Sequence, residues 1–267
     1  MPLYLLILVA VIQGLTEFLP VSSSGHLVLI PVITDQPYQG RAIDVAAHVG
    51  TLLAVVFYLR RDLAAMTHSL FTFGKTDPHS FRLIWLLAIA TIPVVIAGFI
   101  VNEFDPKWLL NLHLLAIANL VFALALWLAD RRDHQLDKIA EMRWVAALFI
   151  GIAQIFALIP GASRSGVTMT AARFLGFDRT SAARFSLLLS IPAIAGAGLL
   201  KTLDIIETGD GALGGDALIV AILSCGFALL AIRLMMAWLA RANFTIFVGY
   251  RIALAIAILA ALQIGLI

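Results

Sequence analysis

Long apolar runs separated by short polar clusters organise this chain. Runs at roughly 42–59, 83–101, 108–129, 185–203, 217–240 and 244–266 predict six membrane-crossing helices. Several fall short of the about 20 residues a bilayer needs, so helix ends are expected to reach into polar flanks. Two further apolar stretches break their own pattern. The uncharged run from Met1 to Thr34 is interrupted by Gln13, Glu17, Pro20, Ser22, Ser23, Ser24, Gly25 and His26. The run 144–163 ends in Pro160, Gly161, Ala162 and Ser163, and Arg164, Ser165 and Gly166 follow. Pro20 removes a helical hydrogen bond, Pro160-Gly161 cannot comfortably continue a helix, and the serines offer caps for a new one. Each stretch therefore reads as helix, break, helix. Non-helical backbone at membrane depth persists only where protein or a water-filled cavity satisfies it, so both are expected to be re-entrant hairpins carrying a site.

The two breaks resemble each other. Gln13 and Gln154, Ser22 and Ser163, Ser24 and Ser165, and Gly25 and Gly166 are each 141 residues apart, and Pro20 matches Pro160 with a slip of one. The expected fold is an all-α polytopic membrane protein, six transmembrane helices plus two hairpins, in one integral domain over 1–267. It divides into two repeats at about 1–130 and 142–267. A hairpin crosses nothing and three spans reverse the side, so the repeats must be inverted, an architecture known for broken-helix membrane proteins.

Composition agrees: 62% of the 267 residues are hydrophobic, 13% are charged and mean hydropathy is +1.01, which excludes an ordinary soluble domain. Charge placement orients the chain. Twelve basic residues (Arg60, Arg61, Lys75, Arg82, Arg131, Arg132, Lys138, Arg143, Arg173, Arg179, Arg184, Arg241) fall on one side, against three (Arg41, Lys107, Lys201) on the other. That second side also carries Glu103, Asp105, Asp204, Glu207, Asp210 and Asp216. The positive-inside rule makes the first side cytoplasmic and places both termini outside. One cysteine, Cys225, excludes a disulfide framework or a cysteine-rich metal site. The N-terminus lacks the basic start of a signal peptide and is read as mature.

A carboxylate at the bilayer centre is costly by roughly 2.5–3.5 kcal/mol, so Glu17 and, likewise, Arg164 mark a functional site. The candidates at the meeting of the hairpins are Gln13, Glu17, Ser22, Ser23, Ser24, His26, Ser163, Arg164, Ser165 and Thr168. Two serine-capped helix starts present N–H groups and positive dipole ends, a natural seat for phosphate. Arg164 adds a planar fork for phosphate oxygens. Glu17 offers oxygen to a hard cation such as Mg²⁺. His26, three residues after Ser23, is expected to face the same way, which would join a nucleophile or activated water to a general acid. Together they suggest phosphoryl chemistry on a lipid-soluble phosphate ester.

The motif Gln13-x-x-x-Glu17 followed by Pro20-Val21-Ser22-Ser23-Ser24-Gly25-His26 resembles the signature of the bacterial undecaprenyl-diphosphate phosphatases of the bacitracin-resistance type. Pro160-Gly161-Ala162-Ser163-Arg164-Ser165-Gly166-Val167-Thr168 is similar to that family's second box. The resemblance covers essentially the whole chain. It implies an inner-membrane enzyme that hydrolyses undecaprenyl diphosphate to the monophosphate with a divalent cation (Mg²⁺ or Ca²⁺); the topology read from the charges has its site open to the extracytoplasmic side. Recycling of the lipid carrier for peptidoglycan, and bacitracin resistance, would follow. Glu17, Ser23, His26 and Arg164 are then catalytic. Gln13, Ser22, Ser24, Ser163, Ser165 and Thr168 bind substrate. With an amide at position 13, Glu17 is the motif's sole carboxylate.

Asp44 and His48 lie one turn apart on the first span, where Asp44 could supply a second metal oxygen or orient His48. Arg233 and Arg251 fall within spans and are expected to snorkel. Trp85, Trp108, Trp127, Trp144 and Trp238 read as interfacial anchors. Glycine-rich 209–215 reads as an extracytoplasmic turn, since no Lys-Ser/Thr follows it to make a phosphate loop. The expected partners are a polyprenyl diphosphate and the bilayer. A homodimer is compatible with the sequence, and nothing points to nucleic acid. The rival class is a transporter or flippase of polyprenyl phosphate, which would need neither His26 nor a nucleophile.

Overall fold

The computed structural model describes residues 1–104, 106, 111–132, 139–208 and 214–265, with backbone alone at 140 and 204–208. Asp105, Lys107, Trp108, Lys138, Asp210 and most of the glycine-rich turn lie outside the described residues. So do the side chains of Asp204 and Glu207. Among the described residues the regular structure is entirely helical, in the order α1 (Leu3–Thr16), α2 (Ser23–Thr34), α3 (Arg41–Tyr58), α4 (Arg60–Phe71), α5 (Pro78–Phe104), α6 (Leu112–Asp130), α7 (Trp144–Gln154), α8 (Arg164–Phe174), α9 (Arg179–Thr208), α10 (Gly215–Leu239) and α11 (Thr245–Gln263). Helices α3, α5, α6, α9 (to Leu203), α10 and α11 are long and apolar enough to cross a membrane. They correspond to the six expected spans. This is a multi-span membrane protein.

The broken stretches become two pairs of short helices. With 14 residues in α1 and 11 in α7, their arms are about 21 and 17 Å long, against a hydrocarbon core of about 30 Å. Helix α2 packs on α1, and α8 packs on α7. The segment 60–82 departs from expectation, because it is not simply a loop. It contains α4, whose Leu63 and Met66 rest against the central core while its remaining residues are mostly polar. A short helix with two inward apolar residues gives too weak a periodic signal to separate from a polar connection.

The core runs through the hairpin turns. Phe18, between α1 and α2, is fully buried in one apolar cluster with Met169 of α8 and Phe185 and Leu189 of α9. Glycines bring helices close where no Cβ could stand: a Cβ on Gly50 would run into the Ala221 backbone of α10, and one on Gly151 into that of Ala90 in α5. Small residues are the usual means of such approach between membrane helices.

Arg251 corrects one expectation. It does not snorkel; it is fully buried. Its Nε donates to Asn119 Oδ1 at 2.7 Å, and an Nη donates to the carbonyls of Gly161 and Ala162 at 2.9 and 3.0 Å. The turn that opens α8 leaves these carbonyls without helical partners, and a buried guanidinium is a strong donor for them. Arg233 is exposed.

Candidate active site

The tips of the two hairpins touch. Ser22 and Ser163 are the N-caps of α2 and α8, and both have positive φ, 72° and 68°. In each, the hydroxyl accepts from the backbone N–H three residues on, Gly25 or Gly166, and lies near the serine two residues on, Ser24 or Ser165. A serine in this region is strained, and such strain persists where surrounding contacts overrule it, often at functional sites. The 141-residue offset thus carries through to matching cap geometry.

Between the tips lies an ion pair. Arg164 donates to Glu17 Oε1 at 2.8 Å, both side chains being largely buried. The other carboxylate oxygen accepts from Ser23 Oγ at 2.7 Å and from Gln13 Nε2 at 3.0 Å. His48 Nε2 stands 3.9 Å from that same oxygen. Its Nδ1 is 2.7 Å from the Asp44 carbonyl, which can only accept, so Nδ1 is the donor there and Nε2 is the ring nitrogen turned toward Glu17.

Glu17, Ser23, Ser24, His48, Gln154, Ser163 and Arg164 form the polar end of a cavity of about 510 Å³. The rest of its wall is apolar: Val94, Val95, Gly98 and Phe99 of α5, then Ala193, Ile194, Ala197, Leu199 and Leu200 of α9. A second apolar groove between the same helices continues from Val95 toward Leu63 and Met66 of α4. A charged floor under an apolar slot is the shape of an amphiphile with an anionic head.

Other predicted residues stand behind this floor. Ser165 donates to the Leu19 carbonyl at 2.8 Å and ties the second tip to the first. Thr168 is buried, bonding the Arg164 carbonyl and Ser186 Oγ. The Ser186 carbonyl also accepts from Arg164, at 3.4 Å. Two placements differ from expectation. His26 does not share Ser23's direction: Nδ1 bonds the Ser22 carbonyl at 2.7 Å, and Nε2 is 2.6 Å from the Tyr250 hydroxyl, the two rings stacked. Asp44 is not brought to Glu17. Its carboxylate accepts from Tyr38 and from Gln39, at 2.5 and 2.9 Å, and its carbonyl rather than its carboxylate orients His48. Sequence reasoning missed His48 as a neighbour of Glu17, because only the packing of α3 against α1 joins positions so far apart. Gln154 was visible as the repeat mate of Gln13 but not as a cavity residue.

The sequence pattern of the family described as bacitracin resistance protein BacA matches residues 6–257. The chain belongs to this family. It is 43% identical over 280 residues to the undecaprenyl-diphosphatase of Erythrobacter litoralis, an alignment covering 96% of this chain and 98% of the relative. The undecaprenyl-diphosphatase of Maricaulis maris is 46% identical over 265 residues, covering 97% and 98%. That of Roseobacter denitrificans is 46% identical over 262 residues, with the same coverage. In this BacA-family chain the stretches around Glu17–Ser24 and Ser163–Arg164 meet at one ion-paired cavity.

Proposed function

We propose that this chain hydrolyses undecaprenyl diphosphate to the monophosphate and inorganic phosphate. The observation that carries the reading is the cavity itself, with Arg164, Glu17 and Ser23 at one end and an apolar slot between α5 and α9 at the other. The head group meets a guanidinium and a serine-capped helix start, while the prenyl chain lies along the slot. The recycled monophosphate is the carrier needed for cell-wall glycans.

Ser23 Oγ, already hydrogen-bonded to Glu17, attacks the terminal phosphorus and its proton passes to the carboxylate. The bond from phosphorus to the bridging oxygen breaks and prenyl monophosphate leaves. Water then cleaves the phosphoserine, restoring the hydroxyl and releasing phosphate. Arg164 neutralises the phosphoryl oxygens throughout, which is the main requirement of such a displacement. His48, whose Nε2 faces the carboxylate, manages the proton. His26 acts as a positioning residue by holding the carbonyl of the strained Ser22.

The donor set suits a divalent cation carried in with its phosphates. Glu17 is the one carboxylate in the cavity wall, and among the described residues no three His, Cys, Asp or Glu side chains gather. Mg²⁺ commonly binds through one carboxylate plus substrate phosphates. The Ser24 hydroxyl and, before it takes the Ser23 proton, Glu17 would hold it, and when bound it would supply further neutralisation of the diphosphate.

The same reading makes α1–α2 and α7–α8 re-entrant arms of an inverted repeat. The matching N-caps support this, as does the ion pair between the Met1 amino group and Asp216, which puts the N-terminus beside the start of α10. With the positive-inside bias, that side is extracytoplasmic and the cavity opens toward it.

The test is phosphate release from a C55 or C15 prenyl diphosphate by purified protein, with Mg²⁺, with Ca²⁺ and with chelator. Cation-dependent release is expected, falling at least about 10³-fold in Glu17→Ala and Arg164→Ala. His48→Asn, which removes the ring nitrogen turned toward Glu17, should lower the rate by about 10²-fold or more, whereas His26→Asn should lower it less. A folded wild type without release under any of these conditions overturns the reading.

A further inference from the structure

We infer that Gln154 is a substrate-binding residue, its carboxamide contacting the diphosphate from the second hairpin. The inference rests on the phosphatase reading for the identity of the ligand, but not for the site. Gln154 closes α7 where the helix tightens into the 3-10 turn Ile155–Leu158, and it lies in the wall of the cavity that holds Glu17 and Arg164. It is fully buried, and neither its Nε2 nor its Oε1 has a hydrogen-bond partner. A buried amide with both ends unpaired is unusual, and the explanation to look for is a missing group. Gln13, 141 residues earlier, indicates what kind of group. At that position in the first hairpin the amide nitrogen donates to the carboxylate of Glu17, four residues on. Four residues after Gln154 stands Leu158, which has no acceptor. The amide that finds an anion within its own hairpin in one half is left over in the other, beside a cavity with a guanidinium in its wall. An anionic oxygen of the diphosphate supplies the missing acceptor for Nε2, and a water of the phosphate shell can donate to Oε1.

The experiment uses the full-length protein in detergent and the variants Gln154→Leu and Gln154→Glu. Three readouts are taken: melting temperature, kcat/KM for a prenyl diphosphate, and Kd for the non-hydrolysable methylene-bridged prenyl diphosphonate. Leucine removes the unpaired amide and keeps most of the volume, so its melting temperature should equal or exceed that of wild type. Affinity for the diphosphonate and kcat/KM should each fall about 10- to 100-fold, the scale of a hydrogen bond to a charged group. Glutamate, facing an anion, should bind the diphosphonate more weakly than leucine does. A Gln154→Leu protein that binds and turns over within about 2-fold of wild type overturns the inference. So does one that loses activity together with melting temperature while keeping its diphosphonate affinity. If wild type binds the diphosphonate but releases no phosphate, the phosphatase reading fails, and the Gln154 contact is judged on the affinities alone.

Discussion

Two hairpins share a plan here and differ in what they carry. Both turn at a positive-φ serine that caps the next helix, and both bury a glutamine on the incoming arm. The first, however, brings the carboxylate of Glu17 and the hydroxyl of Ser23, while the second brings the guanidinium of Arg164, 141 residues after Ser23. Their flanking seams differ as well. Helices α3 and α10 are drawn together at Gly50, where nothing but hydrogen fits against Ala221, whereas α9 and α5 line the cavity between them. The similarity builds the frame, and the differences make it a site: opposite charges meet at the tips, and one seam is sealed while α9 and α5 enclose an apolar cavity.

The largest expected effect comes from unbalancing the tips. Glu17 and Arg164 are both mostly buried, so removing one leaves the other's charge without its partner. Loss of a single partner from such a pair typically destabilises by about 3–5 kcal/mol, whereas replacing both by apolar groups is often close to neutral. Glu17→Leu and Arg164→Leu should therefore each lower the unfolding free energy by an amount in that range, and the double variant should recover most of it while staying inactive. Thermal unfolding in detergent, run as a double-mutant cycle, checks this. Additive losses would mean that the charges are stabilised separately and that the two tips do not depend on each other.

How much of this was legible before the fold? The spans, the breaks, and the placing of Glu17 and Arg164 at one site followed from the cost of charge and broken backbone in a bilayer, a property each residue carries by itself; that the two pair with each other did not. The 141-residue offset likewise put Ser22 opposite Ser163. What escaped was set by neighbours distant in sequence. Arg251 in an apolar span reads as a snorkelling cation until the free carbonyls of Gly161 and Ala162 come into view. His26 reads as Ser23's companion on helical spacing alone, but Tyr250 of α11 takes its ring. Asp44 looked like a metal ligand because Tyr38 and Gln39, which occupy its carboxylate, lie in a connection with no periodic signal.

An intermediate effect is expected from placing the same side chain on the two seams. Gly50→Val puts methyl groups against the Ala221 backbone, an overpacking that should be destabilising by about 1–3 kcal/mol. A Cβ on Gly196, in the cavity wall on α9, meets nothing within 4 Å, so Gly196→Val has open space at its branch point. Its stability should change by no more than the shift from glycine to a β-branched residue in a helix, a few tenths of a kcal/mol. Its KM for a C55 substrate should rise instead, more than for a C15 one, since a longer chain occupies more of the slot. Melting temperatures and paired KM values decide it; equal KM changes for both chain lengths would place the prenyl tail elsewhere.

The smallest effect separates backbone from hydroxyl at the two caps. At φ near 70°, alanine keeps the strain of Ser22 or Ser163 and loses the cap, which should be destabilising by about 1–2 kcal/mol. Glycine also loses the hydroxyl, but adopts positive φ without penalty, so Ser22→Gly and Ser163→Gly should stay within a few tenths of a kcal/mol of wild type. If the halves use these turns alike, the alanine-to-glycine difference will be the same at both positions. The halves need not agree in catalysis. Ser163 lines the cavity and Ser22 does not, so phosphate release should fall further in Ser163→Gly than in Ser22→Gly at matched stability. Equal losses would indicate that both hydroxyls act only by shaping the helix starts, and the division of labour between the hairpins would then rest on Glu17, Ser23 and Arg164 alone.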